Sequence, residues 1–164
     1  MGSPIFYLMP NGGNGYSPDG TLPPGAVICT QEQYATAQSW DISSGKPVAI
    51  PPPTPSISQQ AQAALSAGLT ITSTSTPSLN GLYAVDSTAQ ARITSVQTYI
   101  QANGKFPGSN TTMAWVQMNG TPVVFPSTEE FQAFGTAVAN YVWDLDEIIL
   151  TNSGSLPPAS VTIS

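Results

Sequence analysis

The chain has 164 residues, of which 40% are hydrophobic but only 7% charged, and three bases stand against nine acids for a net charge of −6. That length holds one ordinary core or two very small ones. So few cations cannot neutralise a run of phosphates, which excludes nucleic-acid binding by the chain alone, and the charge-rich, apolar-poor signature of disorder is absent. Ordinary soluble domains are about 25% charged; here the polarity comes from Ser, Thr, Gln and Asn, which a partner covers at lower desolvation cost than Lys or Glu. The composition therefore predicts a subunit that lives inside an assembly, with a secreted or simply biased composition as the alternative.

Residues 5–9 read as a strand, ended by Pro10 and a glycine-rich stretch over 11–20 that reads as a surface loop. A phosphate cradle is excluded there, since no Lys and no helix start follow and Pro18 interrupts. Residues 26–29 form a second strand, and Thr30 with Gln33 makes a capping box opening a short helix to about Trp40. A turn at 43–46 leads to a third strand over 47–50, able to pair with either earlier one. Four prolines within residues 51–55 deny the backbone its donors and favour an extended, semi-rigid spacer.

Ser56 and Gln59 are spaced as another capping box, and the Ala- and Gln-rich helix behind them stops at Gly68. Residues 69–72 and 81–85 read as strands joined by a polar loop. Asp86 then caps a helix whose Ala89, Ile93, Val96 and Ile100 share a face, closed by Asn103-Gly104. A hairpin is predicted from strand 113–118, a tight Asn119-Gly120 turn and strand 121–125. Ser127 and Glu130 follow as a third capping box, with Glu129 adding favourable charge in the first turn. Behind them Phe131, Phe134, Val138, Tyr141 or Val142, Leu145 and Ile148 or Ile149 line one face of a long amphipathic helix. Its default packing is against the 89–100 helix and the hairpin. The tail at 151–164 is mobile on its own; a strand pairing of residues 161–163 with another chain is the expected way to hold it.

With no histidine, Ser-His-Asp and Cys-His nucleophiles and histidine-based zinc sites are excluded. Cys29, the single cysteine, reads as a buried inert thiol and permits no internal disulfide. Asp144, Asp146 and Glu147 crowd the end of the long helix, where the helix dipole disfavours negative charge. They suggest a cation or a basic patch of another subunit, against the plainer reading of a solvated face. Neighbours on one helix cannot face each other across a cleft as glycoside hydrolysis requires. Trp115 and Trp143 read as core or interface anchors. The start at Met1 lacks the basic and apolar regions of a signal peptide, Phe6 spoils a myristoylation signal, and no apolar stretch is long enough to span a membrane. The two Asn-X-Thr sequons, at Asn110 and Asn119, are then chance matches, and the chain is expected to stay in the cytosol until assembled.

Gly68-Leu69-Thr70-Ile71, Tyr83-Ala84-Val85-Asp86-Ser87, Ile93 and above all Met113-Ala114-Trp115-Val116-Gln117-Met118-Asn119-Gly120, leading to Phe125 and Phe131, resemble a domain of unknown function at the C-terminal ends of tailed-phage and prophage tail proteins. More loosely, Pro24-Gly25-Ala26-Val27-Ile28-Cys29-Thr30, Gly45-Lys46-Pro47-Val48 and the proline run are similar to the front of tail-fibre assembly proteins. The chain departs from the family in its fewer charges and its Ser/Thr-rich tail.

The expectation is an α+β chain: a small β-rich unit at 1–50, a Pro-rich linker at 51–55, a C-terminal domain at 56–150 of two β-hairpins packed on two or three helices, and an extended tail at 151–164. The resemblance implies a structural, non-enzymatic component of a bacteriophage virion, tail or tail-fibre associated, acting as a connector or adhesion module. A tail-fibre assembly chaperone is the alternative and a glycan-acting enzyme the third reading. The expected partners are other phage tail or fibre subunits in a homo- or hetero-oligomeric assembly, with no nucleic acid, no membrane and no cofactor. The interface candidates are Trp115, Tyr141, Trp143, Asp146, Glu147, Val161 and Ile163.

Overall fold

The computed structural model describes residues 3–164; the Met1-Gly2 start, read above for a leader or lipid signal, lies outside the described residues. The chain is α+β and divides into two compact units, the first ending at Thr54 and the second spanning Pro55–Ser164.

In the first unit, strand β1 (Ile5–Leu8) lies between β2 (Asn14–Ser17) and β3 (Val27–Cys29), antiparallel to both. The stretch read as a loop over 11–20 thus contains a strand. Its glycines are part of the reason: Gly15 pairs with Tyr7, and the Tyr7 ring lies where a Cβ on Gly15 would stand, 2.2 Å from that position. An aromatic ring laid over a glycine repairs the packing that glycine lacks. Helix α1 (Gln31–Ala35) carries the reciprocal Thr30–Gln33 box and packs on β1, with Phe6 between Tyr16 and Tyr34 at centroid distances of 5.3 and 5.0 Å. It ends earlier than expected, since residues 37–39 tighten into a 3-10 turn whose start is marked by the Thr36 hydroxyl turning back to the Glu32 carbonyl. Strand β4 (Trp40–Asp41) pairs with β5 (Val48–Ala49) in a separate small hairpin, so the third strand joins neither earlier one. Cys29 is half-buried, less than the buried thiol expected, and desolvation pushes its thiol pKa up.

In the second unit, α2 (Ile57–Ala67) starts with the reciprocal Ser56–Gln59 box and stops at Gly68 with φ +86°. Strand β6 (Leu69–Ser73) alternates, with Leu69, Ile71 and Ser73 inward and Thr70 and Thr72 outward, as a one-sided strand must. It pairs antiparallel with β7 (Gly81–Tyr83). Helix α3 (Ser87–Asn103) is capped by Asp86, buries Ala89, Ile93, Val96 and Ile100, and ends at Gly104 in the left-handed region. Strands β8 (Met113–Val116) and β9 (Pro122–Phe125) form the hairpin, and α4 (Thr128–Thr151) follows. The hairpin's turn is longer than the two residues expected. The Gln117 N–H bonds to the Thr121 carbonyl, continuing the regular register of the ladder, and Met118 gives its N–H to Leu82 of β7, so residues 118–120 make the turn.

Strand β10 (Ser160–Ile163) completes the sheet, lying parallel to β6 in the order β10-β6-β7. The residues expected to pair with another chain therefore pair within their own. Ser160-Val161-Thr162-Ile163 alternates as β6 does and offers Ile163 to the core, whereas pairing elsewhere would leave β6 with an open edge. Helix α4 is in contact with α2, α3, β6, β9 and β10, and is the element around which the second unit is built. At its inner face Phe131 and Phe134 meet Tyr83, Phe106, Trp115 and Phe125 with ring centroids 5.0 to 6.1 Å apart. Burying this many aromatic side chains, each worth roughly 1.5–3 kcal/mol of transfer free energy, gives the second unit its core.

Candidate interaction surfaces

The structure divides the seven interface candidates between core and surface. Trp115 is 5% exposed, stacked edge-on between Phe131 and Phe134, with the Arg92 guanidinium 4.5 Å above its ring. Tyr141 is also 5% exposed; its hydroxyl is buried without a hydrogen-bond partner among the described residues, and burial raises its pKa. Ile163 is buried and Val161 half-buried along β10. These four are packing residues of their own chain. A period-3.6 stripe marks a buried face without saying what covers it, and here the covering elements are β6, β9, β10, α2 and α3.

Trp143, Asp146 and Glu147 are exposed, Trp143 to 73%. Trp143 and Asp146, one helical turn apart, line a groove of about 250 Å³ between α3 and α4. Its apolar floor is Ile93, Val138 and Val142, and Gln90 and Gln97 stand along its α3 side. At Gly135 the α4 backbone comes so close that a Cβ would stand 2.3 Å from the Gln97 amide nitrogen. That amide reaches across to the Gln132 carbonyl at 3.5 Å.

The three acids do not gather into one cluster. Asp144 and Glu147 turn to another side of α4, where they line a cleft of about 500 Å³ with Ser153, Gly154 and Leu156. Among the described residues no group of three or more Asp, Glu, Cys or His side chains is placed to hold a metal ion. The trio therefore presents itself on two sides of the helix: residues 144 and 147 share a face, and residue 146 lies on the next.

A second exposed surface is the outer face of the hairpin. Trp115, Val123 and Phe125 point inward, so Val116 and Val124 point out, and Met118 and Leu82 lie nearby, all 40 to 53% exposed. The Met118–Leu82 backbone bond makes this face continuous from the hairpin to the edge of β7.

One polar site was not anticipated. Ser127 caps α4 as expected by taking the Glu130 N–H, but the Glu130 side chain does not return to the Ser127 backbone. Its Oε1 instead accepts from the Ser75 hydroxyl at 2.6 Å and from the Thr76 hydroxyl, and its Oε2 is buried without a partner. Ser75 shares a hydrogen bond with Ser73, whose hydroxyl also takes the Thr76 N–H, so this polar loop is locked to the start of α4. The signal in the sequence is the unbroken polar run at residues 72–76. It reads equally as an exposed loop, and no local pattern tells which acid it meets.

The profile of DUF4376, a domain of unknown function, matches residues 55–146, more than half of the chain. The match starts with the second unit and ends inside α4, before β10. No curated protein and no solved structure matches the chain.

Proposed function

We propose that this chain, which belongs to the DUF4376 family, is a structural, non-enzymatic subunit of a tailed-phage particle, a connector or adhesion module of the tail or tail fibre. The observation that carries the reading is the pattern of exposed apolar side chains on the second unit. Val116, Val124, Met118 and Leu82 share one face, and Trp143 and Leu150, the latter 85% exposed, stand outside the helical core. A contiguous apolar face with few charges around it is the surface that a permanent neighbour covers. The phage setting comes from the resemblance of the Met113–Gly120 segment and of the first unit's motifs, set out above. The proposed partners are other tail or fibre subunits, and the proposed location is the virion.

A second reading, a tail-fibre assembly chaperone, draws on the first unit. It exposes Tyr16, Ile28, Val48 and Ile50 while few of its apolar side chains, Leu8, Ala26 and Ile42 among them, are fully buried. Quantitative mass spectrometry of purified particles separates the two. A subunit is present at a fixed ratio to the other tail proteins; a chaperone is found with fibre intermediates and is missing from the particle. Absence from both overturns the proposal.

A further inference from the structure

We infer that the groove between α3 and α4 receives a segment of a partner polypeptide carrying an arginine or lysine beside an apolar side chain. The inference rests on the assembled-subunit reading and deepens it by naming the chemistry of the partner. The floor formed by Ile93, Val138 and Val142 is apolar and asks for an apolar group. At the edge, Trp143 presents its indole to solvent at 73% exposure, and Asp146 stands one turn further along the same groove. A cation lying on the indole reaches the carboxylate as well, and each contact favours the other.

The chain already makes one such pairing internally, with Arg92 4.5 Å from the Trp115 ring centroid. Arg92 lines a separate cleft with Met113 and Trp115, so it is committed away from the groove. The second unit has six acids and only one further base, Lys105. A second copy of the chain is a poor occupant on charge: two like surfaces meeting about a twofold axis bring Asp146 against the partner's acidic helix end. A groove with an apolar floor, an exposed indole, one carboxylate and no base among its lining residues calls for a basic, part-apolar segment of a different protein.

The test is selection of a displayed random-peptide library on the full chain. Enriched sequences are expected to carry Arg or Lys next to Leu, Ile or an aromatic residue. Affinity of a synthetic enriched peptide is expected to fall roughly tenfold, a loss of about 1.4 kcal/mol, for Trp143→Ala and for Asp146→Asn, and to fall as salt is raised. Both substitutions are at exposed positions, and far-ultraviolet circular dichroism checks that the variants fold. Failure to enrich any sequence, enrichment of sequences without a cation, or unchanged binding by both variants overturns the inference. So does a dimer in sedimentation that Trp143→Ala dissolves, which assigns the groove to a second copy. A chain that selects basic peptides yet is missing from particles fails the functional reading alone.

Discussion

The hydroxyl of Ser75 donates to the carboxylate of Glu130 at 2.6 Å across 55 positions of the chain, tying the loop after β6 to the first turn of α4. Removing the acceptor leaves the hydroxyl of the exposed Ser75 to water and takes from the half-buried Thr76 its partner. Glu130→Ala is expected to lower stability by about 1 kcal/mol in urea unfolding. Glu130→Gln keeps an acceptor oxygen for the two hydroxyls, so it is expected to cost less than the alanine variant. Equal losses would show that acceptance by this side-chain oxygen does not hold the loop.

The two tryptophans of the second unit should behave oppositely. Trp115→Ala empties a site among Phe131 and Phe134 and is expected to cost about 3–5 kcal/mol. Trp143→Ala is expected to change stability by no more than about 0.5 kcal/mol. Thermal unfolding of the two variants side by side checks this.

Tyr141 carries a buried hydroxyl without a partner. Tyr141→Phe keeps the ring and removes the unpaired group, so it is expected to be neutral or to stabilise by about 1 kcal/mol. A clear loss of stability would mean that the hydroxyl is bonded in solution.

Asp19 is held down from its ordinary 3.8 to about 2, first by the Ser17 hydroxyl and then by the Thr21 N–H. A carboxyl whose pKa is depressed by folding stabilises the folded state above its unfolded value, and that contribution is lost as pH falls through about 2. Nuclear magnetic resonance titration of the Asp19 side chain is expected to show its midpoint near 2, and Ser17→Ala to move it upward. A midpoint at the ordinary value would contradict the hydrogen bonds.

Strand β10 seats Ile163 in the core and takes the Thr74 N–H on its carbonyl. Ile163→Ala is expected to cost about 2–5 kcal/mol. Deleting residues 159–164 is expected to do more harm, since it also leaves β6 with an unpaired edge, and light scattering should then report aggregation.

What was legible in the sequence is what is local. The Thr30–Gln33 and Ser56–Gln59 boxes, the Asp86 cap and the inward stripes of α3 and α4 each depend on residues within a turn or two, and the structure keeps them all. The errors lie where a distant group outbids a local one. Glu130 leaves its cap for Ser75, the Met118 N–H leaves the turn for Leu82, and residues 160–163 find β6. The α+β class was readable from the alternation of periods, but the packing of α2 on α4 was not, because Ala-rich helices carry little directional signal. Half of the groove followed the same rule. Trp143 and Asp146 fall off the α4 stripe and were visible; Gln90 and Gln97 come from α3, and nothing local says which of its faces meets α4.

The pairing of β10 with β6 sets Ser160 beside Thr70 and Ile163 beside Ser73, partners that are far apart in the chain. During synthesis, then, β6 emerges from the ribosome long before its parallel neighbour exists. Until residues 160–163 are released, the nascent second unit has an open sheet edge and an unfilled place for Ile163, so its folding waits for those residues to leave the ribosome.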